Sequence, residues 1–151
     1  LTRGYGIMNH TFSEYLPVIP NWNPGRRNGA LVSINQGKTT TYATMGIEDR
    51  GTIFVDPGTE VYEGMIVGQN SRENDISVNI TKGKNMTNVR SSNKDLTATI
   101  KTPTHLTLEE SLEFLNSDEF CEITPDHVRL RKRILNTNSR EKEAKKRKMN
   151  K

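Results

Sequence analysis

The sequence predicts a mainly β fold with one helix, arranged as a small barrel or sandwich. Short segments in which apolar and polar residues alternate recur from residue 29 onward, separated by turns rich in glycine, proline and asparagine. One stretch, beginning at Thr107, carries the signals of a helix. With 151 residues, of which 32% are hydrophobic and 6% aromatic, the chain can build one domain with a modest core.

Residues 1–28 precede this series of strands. Residues 3–15 form an extended segment with scattered apolar side chains, and residues 16–28 contain Pro17, Pro20 and Pro24. Proline at this density excludes a helix and a central strand, so we interpret the second stretch as a linker. Because one strand cannot stand alone, residues 3–15 need partners upstream in a longer parent chain or at an edge elsewhere. The sequence does not begin with methionine, and its first residues lack the pattern of a signal peptide.

Six short strands are predicted after the linker, at a spacing typical of a small barrel or sandwich. They cover residues 30–34, 40–45, 52–55, 65–69, 76–80 and 96–100. Residues 35–38 are predicted to form a hairpin turn, and Asp56-Pro57-Gly58 matches a type II turn. Residues 46–51 interrupt the series and are predicted to form a single helical turn.

Residues 81–95 connect two of these strands without a tight turn. Their cations, Lys82, Lys84, Arg90 and Lys94, outnumber one anion, Asp95. A loop of this length in a compact domain is usually functional or disordered. Two interpretations stay open: a finger that meets phosphates while its amides reach bases or ribose, or a mobile surface loop.

A capping box predicts the helix, with Thr107 as N-cap and Glu110 three residues later. Leu108, Leu112 and Leu115 follow at helical spacing, and this apolar face is expected to pack on the core. The helix is predicted to end near residues 116–118.

Two more strands are predicted over residues 119–124 and 127–134, around a turn at Pro125. Val128 and Leu130 share one face of the second strand. The other face is predicted to carry His127, Arg129, Arg131 and Arg133. Side chains two strand residues apart are separated by roughly 7 Å, which is close to the spacing of nucleic-acid phosphates. Beyond Asn136, low hydrophobicity and dense charge predict disorder, or a helix that frays until it binds.

The basic character belongs to the C-terminal end. Residues 126–151 hold 11 of the 22 Lys and Arg residues but 3 of the 18 Asp and Glu residues. Such a segment indicates an anionic partner, most often nucleic acid, although a solubilising tail stays an alternative. The single cysteine, Cys121, excludes an internal disulfide and is expected to be a small core residue in a reducing, cytoplasmic compartment.

No catalytic or metal site is predicted. Gly37-Lys38-Thr39 resembles the end of a phosphate-binding loop, but Val32 occupies the position that requires a glycine. The histidines, His10, His105 and His127, lack the spacing of metal ligands. No apolar run is long enough to span a membrane.

Longer motifs resemble known translation factors. Thr-Arg-Gly-Tyr-Gly at 2–6 and Phe-Ser-Glu-Tyr at 12–15 are similar to the closing strand of the fifth domain of translational GTPases related to elongation factor G. Other segments resemble the C-terminal domain of the BipA/TypA family of ribosome-associated translational GTPases. These segments are 26–33, 46–51, 60–68, 71–75, 84–90, 107–114, 122–125 and 128–133.

The resemblance implies a division of the chain. Residues 1–16 would be the last strand of a truncated, ferredoxin-like fifth domain, and residues 17–28 the linker. Residues 29–135 would form a small OB-like β-barrel, followed by a basic disordered tail over residues 136–151.

The resemblance also implies a function. The parent would be a cytoplasmic GTPase acting in large ribosomal subunit assembly and stress-adapted translation. Its GTP and magnesium would bind an N-terminal domain absent here, so this region would be a non-enzymatic monomer without cofactor or membrane contact. The loop would contact 23S rRNA and the tRNA acceptor end in the ribosomal A site. A protein-interaction module with a solubilising basic tail is the alternative.

Two sets of residues are assigned to this role. The RNA-binding set comprises Lys82, Lys84, Asn85, Asn88, Arg90, Ser91, Ser92 and Lys94. A secondary basic surface comprises Arg129, Arg131, Arg133, Lys145, Lys146, Arg147 and Lys148.

Overall fold

The computed structural model describes residues 7, 9–18, 26–83 and 101–149. In these ranges the helices are α1 (Thr41–Ile47), α2 (Leu108–Phe114) and α3 (Thr137–Met149), and a 3-10 turn spans Glu48–Arg50. The strands are β1 (Ala30–Ser33), β2 (Gly37–Lys38), β3 (Gly51–Ile53), β4 (Glu60–Val61), β5 (Met65–Asn70), β6 (Ile76–Val78), β7 (Glu119–Ile123) and β8 (Val128–Lys132). The small β domain is confirmed, with three helices where the sequence predicted one.

Strand β5 is the centre of a mixed six-stranded sheet. The sheet order is β6-β1-β5-β8-β7, and β3 also pairs with β5. The pairing of β1 with β6 is parallel, and the other pairings in this sheet are antiparallel. A Cβ at Gly68 would lie 2.4 Å from the Thr52 carbonyl oxygen, so glycine permits the close approach of β3. Strands β2 and β4 form a separate pair.

Two apolar clusters pack on opposite faces of the sheet. The first includes Leu31, Met65, Val67, Ile47, Ile53 and Ile80. The second includes Ala30, Val32, Ile66, Phe114 and Leu130, with Cys121 packed against it. Successive residues of β1 and β5 enter opposite clusters because strand side chains alternate between faces. Both strands are therefore buried on both sides, which explains their continuous apolar runs.

The strand predicted over residues 40–45 is wrong, because α1 occupies this position. Thr40 caps the helix: its side-chain oxygen accepts a hydrogen bond from the Ala43 amide at 3.1 Å. Ala43, Thr44 and Ile47 are buried at helical spacing. The β-branched and aromatic residues of this stretch resemble a strand, but burial of one helical face decides the structure.

Several shorter predictions are confirmed. Strands form within residues 30–34, 76–80, 119–124 and 127–134, and strands that overlap 52–55 and 65–69 extend one residue beyond those ranges. Asp56-Pro57-Gly58 is a turn, in which the Thr59 amide donates to the Asp56 carbonyl at 3.2 Å and Gly58 has φ +88°. A helical turn occurs at Glu48–Arg50, inside the predicted range. The hairpin turn at 35–38 is wrong, since Gly37 and Lys38 belong to β2 and pair with β4.

The capping box of α2 is confirmed, but its buried face differs from the prediction. The Thr107 hydroxyl accepts from the Glu110 amide, and the Glu110 carboxylate accepts from the Thr107 amide. Leu108 is 39% exposed and Leu112 52% exposed, whereas Ser111 and Phe114 are buried. Leu115 packs against the second cluster, as predicted. The large ring of Phe114 packs edge-on against Phe54, with ring centroids 5.2 Å apart, and this contact sets the rotation of the helix. The helix ends at Phe114, earlier than predicted.

Helix α3 occupies residues for which the sequence predicted a disordered tail or a frayed helix. The Asn136 side chain accepts a hydrogen bond from the Ser139 amide at 3.1 Å, which stabilises the first turn. The Thr137 amide donates to the Glu63 carboxylate at 2.7 Å, and this bond holds the pKa of Glu63 below its usual range. Arg140 donates to the carbonyls of Ile134 and Leu135. These contacts attach the helix to the body.

Two predicted strands remain, one in a segment that the structure mostly describes and one in a segment that it does not. Residues 9–18 have neither helix nor strand, and a strand there needs partners that the described residues do not provide. The strand over 96–100 lies outside the described ranges. The described strands form an open sheet, so the OB-like barrel stays a prediction.

Candidate nucleic-acid interface

The base of the predicted RNA-binding loop is attached to the start of α1. The Thr40 amide donates to the Ile80 carbonyl at 3.0 Å, and the Thr40 hydroxyl donates to the Lys82 carbonyl at 2.6 Å. The same hydroxyl caps α1. Lys82 is exposed at this point. One threonine therefore fixes the position from which the loop leaves the domain.

The other residues of the predicted RNA-binding set lie outside the described ranges. These are Lys84, Asn85, Asn88, Arg90, Ser91, Ser92 and Lys94. Their assignment to RNA stays a prediction.

Replacement of Thr40 by valine is expected to lower the free energy of unfolding by about 1 kcal/mol, because valine keeps the shape but removes the cap. Thr40→Ser keeps a hydroxyl and is the matched control. Urea unfolding of the two variants measures the difference. Equal stability of the valine and serine variants would contradict the capping role.

The outer face of the β7–β8 hairpin carries two of the predicted arginines. Phe120 pairs with Arg131 and Glu122 with Arg129 across the two strands, so these four side chains share one face. Arg131 Nε lies 2.5 Å from Glu122 Oε1, without the angle of a hydrogen bond. The Arg131 guanidinium carbon lies 5.2 Å from the centroid of the Phe120 ring.

Tyr62 completes this face. Its hydroxyl donates to Glu122 Oε2 at 2.5 Å. Burial, reinforced by the hydrogen bond and charge of Glu122, raises the pKa of Tyr62, so the hydroxyl stays protonated at neutral pH. Glu122 thus accepts from Tyr62 and pairs with Arg131, and it holds the arginine beside the aromatic ring.

Arg133 does not continue this row of arginines. It lies beyond the end of β8, and its guanidinium is 3.9 Å from the Glu143 carboxylate of α3. A groove of about 850 Å³ lies here between α3 and the sheet. It is lined by the cations Lys132, Arg133 and Arg140 and by the carboxylates Asp75, Asp118, Glu141 and Glu143. The excess of carboxylates makes this groove unfavourable for a phosphate.

Helix α3 carries the remaining residues of the secondary basic surface. Lys145 and Lys146 are exposed on it, together with Lys142. Arg147 and Lys148 belong to the same helix. A helix that presents several cations is a suitable electrostatic contact for a polyanion.

A buried ionic cluster joins the linker to the β7–β8 hairpin. Arg26 donates two hydrogen bonds to the Glu119 carboxylate, both at 2.7 Å, and one to the Phe114 carbonyl at 2.7 Å. Lys132 Nζ lies 2.7 Å from Glu119, 2.5 Å from Asp75 and 3.1 Å from Asp118.

Lys132 keeps its charge despite burial. The Glu119 side chain is 0% exposed and that of Lys132 is 3% exposed. Burial alone would lower the pKa of Lys132, but hydrogen bonds and charges from Asp75 and Glu119 outweigh it and raise the pKa. The cluster therefore positions the hairpin through its ion pairs and hydrogen bonds, and its buried side chains are not available to a ligand.

Sequence reasoning missed Phe120, Tyr62 and Glu122. The period of two in β7 and the predicted turn at residues 124–126 would have placed Phe120 on the arginine face. No local pattern in the sequence could place Tyr62 on this face, because its partner Glu122 lies 60 residues away along the chain.

The described residues offer neither a metal site nor a membrane-spanning helix. No group of three or more His, Cys, Asp or Glu side chains among them is placed to hold a metal ion. None of the helices in the described ranges is both long and apolar enough to cross a membrane.

Comparison with known proteins agrees with the motifs. Residues 28–137 match the family model described as the TypA/BipA C-terminal domain. The chain is 62% identical over 98% of its length to the large ribosomal subunit assembly factor BipA of Bacillus subtilis, and 46% identical over 87% to that of Synechocystis sp.. The factor of the same name from Escherichia coli K12 is 45% identical over 93% of the chain.

The matches cover 24%, 22% and 23% of those relatives, so the chain spans about a quarter of their length. The family model nevertheless covers most of the chain, including β1 to β8. The chain therefore belongs to the TypA/BipA family, and residues 28–137 are the C-terminal domain of that family.

Proposed function

We propose that this chain is the RNA-docking C-terminal region of a cytoplasmic, ribosome-associated GTPase that acts in large ribosomal subunit assembly. The observation that carries the proposal is the 62% identity to a protein named large ribosomal subunit assembly factor BipA. The GTP and magnesium sites, and the GTPase activity, would belong to the part of the parent that this chain does not include. The region itself would act by binding rather than by catalysis.

In this proposal, residues 81–95 contact 23S rRNA and the acceptor end of tRNA in the ribosomal A site. The attachment of Lys82 to Thr40 supports the proposal, since a loop with a fixed base can place its cations reproducibly. The strand predicted over 96–100 would return from this loop and complete an OB-like barrel. Stress-adapted translation would be the physiological context.

Arg129, Arg131 and the exposed cations of α3 form the second contact in the proposal, whereas Arg133 lies in the carboxylate-rich groove and is left out of it. Phosphate contacts would supply most of the affinity, through release of counterions from RNA. Binding should therefore weaken steeply as salt rises.

The proposal is tested by cosedimentation of the full chain with isolated 50S subunits and with 70S ribosomes. The loop variant changes Lys82, Lys84, Arg90 and Lys94 to alanine. The control variant removes four exposed cations elsewhere, Arg27, Lys38, Arg50 and Arg72, and so has the same net charge. We expect the loop variant to lose at least tenfold in affinity relative to the control, because four phosphate contacts are removed.

Equal binding by the loop and control variants would contradict the role of the loop. Absence of binding by the unchanged chain at low salt would contradict docking by this region.

A protein-interaction module with a solubilising tail is the second candidate. The exposed Leu108 and Leu112 of α2 favour it, because apolar side chains one helical turn apart can form a protein contact. Partner binding that persists after nuclease treatment and in a chain ending at Asn136 would support this candidate instead.

A further inference from the structure

We propose that the outer face of the β7–β8 hairpin binds an unpaired nucleobase of RNA, which stacks on the ring of Phe120. The inference rests on the proposed function, because it names a second RNA contact apart from residues 81–95. Phe120 is 44% exposed, although it lies in a strand of the main sheet. An exposed aromatic ring beside arginine is the combination that proteins use for single-stranded nucleic acid.

The arginine next to Phe120 is held in place by other side chains. The Glu122 carboxylate pairs with Arg131 through Nε, and Tyr62 donates a hydrogen bond to the other oxygen of that carboxylate. Arg131 is directly opposite Phe120 in the strand pairing, and its guanidinium lies near the ring. Because this arrangement exists before any ligand arrives, little side-chain freedom is lost when a base binds.

Arg129 supplies a cation for the phosphate next to the stacked base. Arg129 and Arg131 lie on the same face of β8, two residues apart, which corresponds to roughly 7 Å. Glu122 already pairs with Arg131, and among the residues that the structure describes the Arg129 side chain has no hydrogen bond or ion pair. A nucleotide with its base on Phe120 can therefore place its phosphate near Arg129.

The opposite face of the same strand provides an internal control. Ile123 is 61% exposed, but it lies on the face that carries Cys121. On this face Ile123 pairs with Val128 and has no arginine opposite. If this surface bound a protein through apolar contacts alone, removal of Phe120 and removal of Ile123 would weaken binding to a similar extent. Base stacking requires the aromatic ring of Phe120.

Fluorescence tests the stacking directly. The chain has one tryptophan, Trp22, so Phe120→Trp in a Trp22→Phe background places the only indole in the hairpin. The probe is a ten-nucleotide oligouridylate, which has no stable secondary structure. We expect saturable quenching of the tryptophan by this RNA, since an indole that stacks on a base loses emission.

Affinity supplies the second readout. The variants Phe120→Leu and Ile123→Leu are each titrated against the labelled oligonucleotide, with thermal unfolding to confirm that both are folded. Phe120→Leu is expected to bind roughly tenfold more weakly than the unchanged chain, as removal of one stacking ring does elsewhere, and Ile123→Leu should bind as the unchanged chain does.

Equal affinities of the two leucine variants, or no quenching of the hairpin tryptophan, would overturn the inference. If Phe120→Leu keeps its affinity for the oligonucleotide but no longer binds ribosomal subunits, the face is a protein contact and the inference is overturned. Loop-dependent cosedimentation would then still support the proposed function. Conversely, Phe120-dependent oligonucleotide binding without cosedimentation would support the stacking site and contradict ribosome docking.

Discussion

Glu119→Gln is expected to lower the free energy of unfolding by about 3–5 kcal/mol, because the buried Arg26 loses its hydrogen-bonded carboxylate and Lys132 loses one of its three carboxylate partners. Arg26 and Lys132 both direct their charges at the Glu119 carboxylate, and the Asn116 amide donates to it at 3.0 Å. Glutamine keeps the size of the side chain but cannot accept at its amide nitrogen. A domain of this size is marginally stable, so the loss removes a large part of its stability.

Glu113→Gln is the matched control for this prediction. Glu113 lies on the exposed side of α2, and the same substitution there should change the unfolding free energy by less than about 0.5 kcal/mol. Urea unfolding followed by far-ultraviolet circular dichroism measures both variants. Equal midpoints for the Glu113 and Glu119 variants would show that the buried cluster does not stabilise the fold.

Gly64→Ala is expected to destabilise the domain by more than Gly58→Ala and to detach α3. Both glycines have positive φ, +87° and +88°, so each alanine costs about 1–2 kcal/mol of backbone strain. A Cβ at Gly58 meets no atom within 4 Å. At Gly64 it would lie 2.6 Å from Leu135 Cα, in the segment that leads into α3.

The comparison of the two glycine variants isolates the steric contact from the strain. Amide exchange of residues 137–140 reports on α3 directly, and only the Gly64 variant should lose protection there. Equal unfolding free energies and equal protection in both variants would contradict the contact between residues 64 and 135.

The sequence predicted correctly those structural features that depend only on residues close together in the chain. The capping box at Thr107 needs only Glu110, three residues away, and the turn at Asp56 needs only the proline and glycine after it. The period of two in β8 correctly put Arg129 and Arg131 on the face opposite Leu130. Each of these features is decided within a few residues of chain.

Elements that depend on distant residues were not predictable in the same way. The apolar stripe of α2 was expected inside, but Phe114 reaches Phe54, sixty positions earlier, and turns Leu108 and Leu112 outward. Residues 40–45 have the composition of a strand, and burial against the sheet makes them a helix.

In the candidate site, too, features set by nearby residues were predictable and features set by distant residues were not. The sequence identified the cations of the site but not their partners. Arg26 and Glu119 are 93 residues apart, so their pairing has no local signature. Arg133 was grouped with Arg129 and Arg131 by strand period, but β8 ends before it and Glu143 of α3 pairs with it. The aromatic ring beside Arg131 became evident once the strand register was known.

The central claim is that this region docks on ribosomal RNA through the cations of residues 81–95. The most direct test is the salt dependence of its affinity for isolated 50S subunits, measured for the unchanged chain, the loop variant and the charge-matched control. Four lost phosphate contacts should reduce the slope of log affinity against log salt by roughly 3, at about 0.7–0.9 per contact. If the loop variant and the control reduce this slope equally, the claim is contradicted, because net charge alone would then account for binding.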